Sequence, residues 1–341
     1  MSKKILVTGS AGFIGGYVVE ELLNHGWHVV GIDNYSKYGE IKKSYDHHPN
    51  YTFVRGDVKD TVLMKEIVGG CSDVLAGAAM IGGISYFHEY AYDLLAENER
   101  IVASTFDAAI DAFRRGSLKK ITVLSSSMVF ESATIFPTPE GEELRCAPPL
   151  STYGFQKLSC EYFARGAKIQ YGLPYTIVRP FNCVGVGEQR ALGDKEILSG
   201  NVSLAMSHVV PDLIQKVVKG QDPLHILGSG GQVRHYTYGG DLARGIRTAI
   251  EHENALNQDF NLSTERSTTV LELAELIWKK INPTKPFRFT SDKPFEYDVQ
   301  KRVPNCEKAK RVLGYEAKTS LETILDEVVP WVVEQVKLGT I

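Results

Sequence analysis

Two short stretches carry side chains that could act together on an alcohol. The segment "SSSMVF" at 125–130 closes the apolar run Ile121-Thr122-Val123-Leu124, and "TYGFQK" follows at 152–157. Tyr153 and Lys157 are four residues apart, so a helix would place both on one face. A phenol ordinarily ionises near pH ~10 and is a poor base at neutrality. A neighbouring ammonium would favour its anion. The shift needed, about three units or ~4 kcal/mol, is within reach of a desolvated cation close by. A serine of the 125–127 run could relay or steady the proton. Such a set suits removing a hydroxyl proton while a hydride leaves the same carbon. No second acid or base accompanies it: Ser127 has no evident activating base, and the thioether of Met128 exchanges no protons.

A hydride needs an acceptor, and the N-terminal stretch offers a place for one. "VTGSAGFIGGYVVEELLNHGWHVVGID" at 7–33 reads as strand, glycine turn, helix, second strand and terminal acid, in that order. Gly9 permits a tight turn, Gly12 lets backbone approach a pyrophosphate, and Gly15 lets the helix pack on the strand. Phe13 and Ile14 open that helix, whose free N–H groups and positive dipole end suit phosphate. Asp33 can accept hydrogen bonds from adenosine ribose hydroxyls and would repel a 2′-phosphate, which favours NAD over NADP. Asp57 and Val58, in "RGDVKD", lie just past the third strand, where a carboxylate could accept the adenine amino group.

These residues need a frame. Short apolar runs at 4–8, 27–32, 51–55, 73–76, 121–125 and 175–179 read as strands, with helices over 13–24, 60–68, 90–115 and 152–171. Strands of near-continuous apolar character spaced by helices predict a parallel sheet covered on both faces. The fold class is α/β: a Rossmann-type doubly wound parallel sheet with a smaller C-terminal α/β substrate-binding domain. Residues 1–180 form the NAD-binding domain, with 239–262 returning to it, and 181–341 bind the substrate. The proline-rich stretch 136–149 reads as a loop, and so does the Gly-rich polar stretch 185–203, as a long mobile one. Helices are expected at 206–219, 240–251, 269–280 and 320–337.

Composition narrows the function classes. The net charge of −3 argues against nucleic acid as a partner, because backbone binding wants a basic face. No apolar run approaches ~18–20 residues, so no membrane span is expected. "MSKK" runs directly into "ILVTG" with no signal-peptide pattern. The five cysteines are odd in number and form no C-x-x-C, which predicts neither a disulfide framework nor a zinc site and fits a reducing cytoplasm. His47 and His48 are adjacent rather than spaced for one helical face, and no metal is expected.

The chain resembles the extended short-chain dehydrogenase/reductase family, in particular its nucleotide-sugar epimerases and dehydratases. The resemblance is carried by "TGSAGFIG", "GDVKD", "AGAAM", "SSSMVF", "YGFQK", "RPFN", "VVPDLI" and "VLGYEAKTSLE", spread over nearly the whole length. It implies that Tyr153, Lys157 and Ser126 are catalytic, with Lys157 also holding the nicotinamide ribose. Ala78, in "AGAAM", and Asn98, near the active-site helix, would join the cofactor contacts. Asn182 in "RPFN", Arg234 and Arg302 would hold a nucleotide diphosphate, for which a planar guanidinium fork is suited. His208 and Ser127 would face the substrate. The partner implied is a nucleotide-diphosphate sugar, and the assembly implied is a homodimer through the helices near 90–115 and 152–171.

Dehydrating relatives place Asp and Glu after the catalytic Ser or Thr, and relatives that epimerise at C3 and C5 carry a cysteine where Met128 stands. Neither is present here. The resemblance therefore points to an NAD-dependent 4-epimerase that oxidises a UDP-hexose or related substrate to a transient 4-keto sugar, inverts it and regenerates the cofactor. A dehydratase, decarboxylase or C4 dehydrogenase remains open if Cys183, Glu131 or the 187–203 segment supplies an acid or base. A non-catalytic NAD-binding sensor and a small-alcohol dehydrogenase are further alternatives. Departures from the family pattern include Ala76-Gly77-Ala78-Ala79, the Gly82-Gly83 pair and His235 in place of Asp.

Overall fold

The computed structural model describes residues 3–81, 89–192, 196–205, 208–294 and 299–341. The Gly82-Gly83 pair lies outside the described residues.

Seven parallel strands form one sheet. The first six in chain order are β1 (Lys4–Thr8), β2 (His28–Asp33), β3 (Tyr51–Arg55), β4 (Asp73–Ala76), β5 (Lys120–Leu124) and β6 (Tyr175–Pro180). After these come a hairpin, β7 (Glu196–Ser199) and β8 (Val202–Ala205), then β9 (Leu224–Leu227), β10 (Gln258–Leu262) and β11 (Phe289–Asp292). The seventh member of the sheet is β10, and the order across it is β10-β6-β5-β4-β1-β2-β3. Strand β1 pairs with β2 on one side and β4 on the other, so the winding reverses beside it. In such sheets ligands bind at the carboxyl ends of the strands at that reversal.

Side-chain alternation explains the double covering. Ile5 and Val7 enter one core with Val18, Val19 and Leu22 of α1 (Phe13–Asn24). Leu6 points the other way, into a core with Met64 of α2 (Thr61–Val68), Phe106 of α3 (Ala91–Arg114) and Ala164 of α4 (Thr152–Tyr171). Apolar residues at both parities are what a strand buried on both faces requires. Residues 239–262 lie with this sheet: α6 (Gly239–Glu251) packs on α1, and β10 pairs with β6. A separate core joins α5 (Val209–Val218), α7 (Val270–Ile281) and α9 (Leu321–Leu338) around Leu213, Ile277, Trp278 and Val328. The short helix α8 (Glu307–Leu313), with no counterpart in the sequence reading, packs beside β10.

The segment 185–203 departs from the expected loop. Strands β7 and β8 pair antiparallel, with Ser199 opposite Val202 across the two-residue turn Gly200-Asn201. Gly200 has φ 57°, which such turns demand and glycine adopts freely. The stretch 136–149 is a loop except for one 3-10 turn, Glu142–Leu144.

Candidate active site

The strand-to-helix turn after β1 is shaped for a phosphate. Gly9 has φ +74°, and a Cβ there would meet Ala78 Cα at 2.9 Å. A Cβ on Gly15 would lie 2.0 Å from the Gly9 carbonyl oxygen, so the helix meets the turn closely only because no side chain intervenes. Gly12 caps α1 without any side-chain acceptor. The first-turn N–H groups are thus unclaimed by a cap, as an anion cradle needs. Asp33 braces the turn from the end of β2: its carboxylate accepts the Ala11 N–H at 3.1 Å and the Tyr35 N–H at 2.8 Å. Thr8 Oγ1 accepts the N–H groups of Gly77 and Ala78 at 2.9 and 3.0 Å, which fixes the Ala76–Ala79 stretch against the turn.

A cavity of about 740 Å³ runs from this turn across the carboxyl edge of the sheet. Gly9, Gly12, Phe13, Ile14, Gly15, Asp33, Asp57, Val58 and Ala78 line its first arm. Ser126, Ser127, Met128, Tyr153 and Lys157 line its middle, and Asn182, His208, Arg234 and Arg302 line the arm toward the second core. Asn98, expected among the cofactor contacts, is not among the residues lining the cavity. It is buried, its Oδ1 accepts the Met80 N–H at 2.7 Å and its Nδ2 donates to the Met80 carbonyl at 2.9 Å. Its amide pins the loop after β4, and the cavity wall nearby is made by Glu97 and Ile101.

Helix α4 presents the tyrosine and lysine. Ser151 caps it by accepting the Gly154 N–H at 3.0 Å, and Glu131 accepts the N–H groups of Leu150 and Ser151, each at 3.1 Å. Glu131 is therefore a helix anchor outside the cavity lining, not an acid facing substrate. A Cβ on Gly154 would meet Met128 O at 2.8 Å, so the helix start sits tight on the turn that carries the serines. Ser126 Oγ accepts the Met128 N–H at 3.2 Å and opens that turn. Tyr153 packs with Leu94 and Met128 in a small apolar cluster. Lys157 is buried, and its Nζ donates to the Leu124 carbonyl at the end of β5 at 3.0 Å.

Behind this face lies an ionic cluster that the sequence reading missed. Arg179 of β6, fully buried, donates through Nε and Nη2 to the two Glu161 oxygens at 2.7 Å each, and through Nη1 to Asp259 at 2.7 Å. Glu143 completes it at 3.0 Å. Burial opposes the charge on Arg179, but Glu161, Asp259 and Glu143 outweigh it and hold the guanidinium firmly protonated. Glu161 also accepts the Ser125 hydroxyl at 2.7 Å, which ties β5, α4 and β6 together under the serine turn.

In the arm toward the second core, Arg234 is buried and the backbone N–H of Arg302 donates to the Val233 carbonyl at 3.2 Å. Tyr236, also buried and lining the cavity, was absent from the sequence reading. Burial pushes its phenol up to about 12 against the two arginines. Asn182, at φ 40°, donates to the His235 carbonyl at 3.4 Å. His235 is not among the residues lining the cavity: its Nδ1 bonds the Thr264 carbonyl at 2.9 Å, and burial holds its pKa low. His208 pairs with Glu188, which also lines the cavity. Burial pushes the Glu188 carboxyl up, but His208 and Lys37 outweigh it and leave it below its ordinary value. Cys183 lines the cavity too, and burial followed by Glu188 keeps it a thiol.

The model of the NAD dependent epimerase/dehydratase family matches residues 5–263. The chain belongs to that family. Its cofactor is NAD, and the uncapped glycine turn with Asp33 fits that group. This epimerase/dehydratase family member is 28% identical over 331 residues to a putative UDP-glucose 4-epimerase of Methanocaldococcus jannaschii, covering 96% of this chain and 97% of that one. It is 27% identical over 327 residues to UDP-glucuronic acid decarboxylase 4 of Arabidopsis thaliana, covering 93% of this chain and 66% of the relative. Among solved structures it is similar to UDP-glucuronic acid 4-epimerase from Bacillus cereus in complex with UDP-glucuronic acid and NAD. That match has 25% identity and a TM-score of 0.81, covering 98% of this chain and 99% of the other. Among the described residues no helix is long and apolar enough to cross a membrane.

Proposed function

We propose that the protein is a nucleotide-sugar 4-epimerase. The observation that carries this reading is the middle of the cavity. Tyr153, Lys157 and Ser126 line it together, and the two positions after Ser126 are a serine and a thioether. Bound NAD would accept a hydride from C4 of the sugar and return it. Gly9, Gly12, Gly15, Phe13 and Ile14 would hold its phosphates, Asp33 the adenosine ribose, Asp57, Val58 and Ala78 the adenine side, and Lys157 the nicotinamide ribose. Tyr153 takes the C4 hydroxyl proton, Ser126 steadies that hydroxyl, and the proton returns from Tyr153 after the ring has turned over. Lys157 lowers the cost of the phenolate through its charge. Arg234, Arg302, Asn182 and Tyr236 grip the diphosphate so that the sugar can rotate without escaping. Ser127 and His208 contact the sugar.

A second reading rests on Glu188, His208 and Cys183, which bring ionisable groups into the same cavity. If one of them reaches C3 or C5, a 4-keto sugar could enolise, lose water or lose carbon dioxide. A screen of nucleotide sugars by NMR in deuterated buffer, without added cofactor, separates the readings. Inversion at C4 with no deuterium in the sugar supports the 4-epimerase. Deuterium at C3 or C5, or a lost hydroxyl or carboxyl, overturns it.

Helix α4 also carries Phe155, Tyr162 and Ile169 at seven-residue spacing, 47%, 58% and 85% exposed. We propose that this stripe, beside Tyr92 of α3, pairs with its own copy in a two-fold homodimer.

A further inference from the structure

One ion pair in the cavity is not used by the proposed reaction. Asp212 and Lys216 are one turn apart on α5, and both line the cavity beside Ile226 and Leu227 of β9. Lys216 Nζ lies 3.1 Å from Asp212 Oδ2, with the two side chains 3% and 19% exposed. The same Nζ donates to the His225 carbonyl at 3.1 Å. Among the described residues, the third ammonium hydrogen and Asp212 Oδ1 have no partner. The neighbours Val209, Leu213 and Ile226 are apolar, and burial pushes the Asp212 carboxyl up against the pull of Lys216. A charge pair in such a slot is costly compared with apolar filling. Spare donor and acceptor capacity aimed into a cavity is what recognition of a polar edge requires.

The sugar must reach Tyr153 at the middle of the cavity, and the arginines take the diphosphate. The nucleoside is then left for the arm lined by α5 and β9. We infer that Asp212 and Lys216 read the pairing edge of the substrate's base, and that this base is guanine. The inference rests on the nucleotide-sugar reading and names its nucleotide.

Along its pairing edge guanine presents an acceptor (O6) and then two donors (N1–H and N2–H). The ammonium, Oδ2 and Oδ1 in sequence offer a donor and then two acceptors, which is the complement. The contact between Lys216 and Oδ2 matches the adjacency of O6 and N1. Uracil and thymine present acceptor, donor, acceptor, so their O2 would face Oδ1, lone pair against lone pair. Adenine has one donor and one acceptor on this edge and leaves an oxygen unmet. Cytosine runs donor, acceptor, acceptor, the opposite order. A site built on buried polar groups rejects a ligand that leaves them unpaired more strongly than an apolar slot does. The assignment departs from the uridine nucleotides named for the relatives.

Calorimetric titration of the NAD-loaded protein with GDP, IDP, UDP and dTDP tests this. GDP should bind about tenfold or more tighter than UDP and dTDP. IDP, which lacks the N2 donor, should fall about tenfold below GDP. In Asp212→Asn, nearly the same shape, GDP should weaken by about tenfold or more while UDP changes less than about threefold, which also shows that the variant is folded. UDP binding as tightly as GDP would overturn the base assignment and leave the nucleotide-sugar reading standing. An unchanged GDP-to-UDP ratio in Asp212→Asn would overturn the role of Asp212. Failure of every diphosphate to bind would overturn both readings.

Discussion

Replacing Arg179 by methionine removes the cation from the cluster under the serine turn. The change keeps most of the volume but strands Glu161 and Glu143, whose side chains are fully buried, and leaves Asp259 with Lys308 at 2.7 Å. Removing one partner of a buried pair costs about 3–5 kcal/mol, because the remaining charge is uncompensated. Arg165 still reaches Glu143 at 2.7 Å and Glu161 at 3.2 Å, so the lower end applies. A loss of about 3 kcal/mol is roughly a 150-fold change in the folding equilibrium. Urea unfolding of wild type and Arg179→Met at pH 8 reads the loss. A difference below about 1 kcal/mol would refute the claim that this cluster holds β5, α4 and β6 together. Because Glu161 also holds Ser125, turnover should fall in the folded variant.

Three further changes have defined outcomes. Tyr153→Phe should cut turnover by about 10²–10⁴ while the purified protein keeps its NAD, read by steady-state rates and cofactor content; a sensor would keep its function. Burial lowers the Lys120 ammonium to about 8 with Asp73 opposing, so the folded chain releases this proton before the unfolded one. The stability of wild type relative to Lys120→Met should therefore rise from pH 8 to about 10.4, by at most ~1.4 kcal/mol per pH unit, and a flat difference in denaturant titrations would count against it. Ile169→Glu with Tyr162→Glu should give a folded monomer by light scattering, and an unchanged dimer would place the interface elsewhere.

Much of the first half of the chain could be read in advance, because its signals are local. The glycine spacing, the apolar runs and the Tyr-Lys pair each follow from periodicity within one element, and α1 and α4 begin and end where that periodicity does. The hairpin at 196–205 is hidden by its Gly and polar residues, which suggest a loop, although Gly-Asn between two short runs is itself a hairpin signal. The Arg179 cluster is not legible in the sequence, since its partners come from α4, β10 and the Glu142–Leu144 turn and meet β6 only in three dimensions; the Asp212–Lys216 pair is a local i,i+4 spacing, but its place on the cavity wall depends on the fold. Asn98 is expected at the cofactor through the resemblance alone, and no local signal shows that its amide pins the Met80 backbone.

In the proposed reaction one carbinol hydrogen leaves C4 and returns to the same carbon without entering solvent. A nucleotide hexose carrying deuterium at C4, followed by NMR through many turnovers in ordinary water, reads this. The inverted product should keep its label at C4. Loss of that label to water, or inversion at any other carbon, would rule the reaction out.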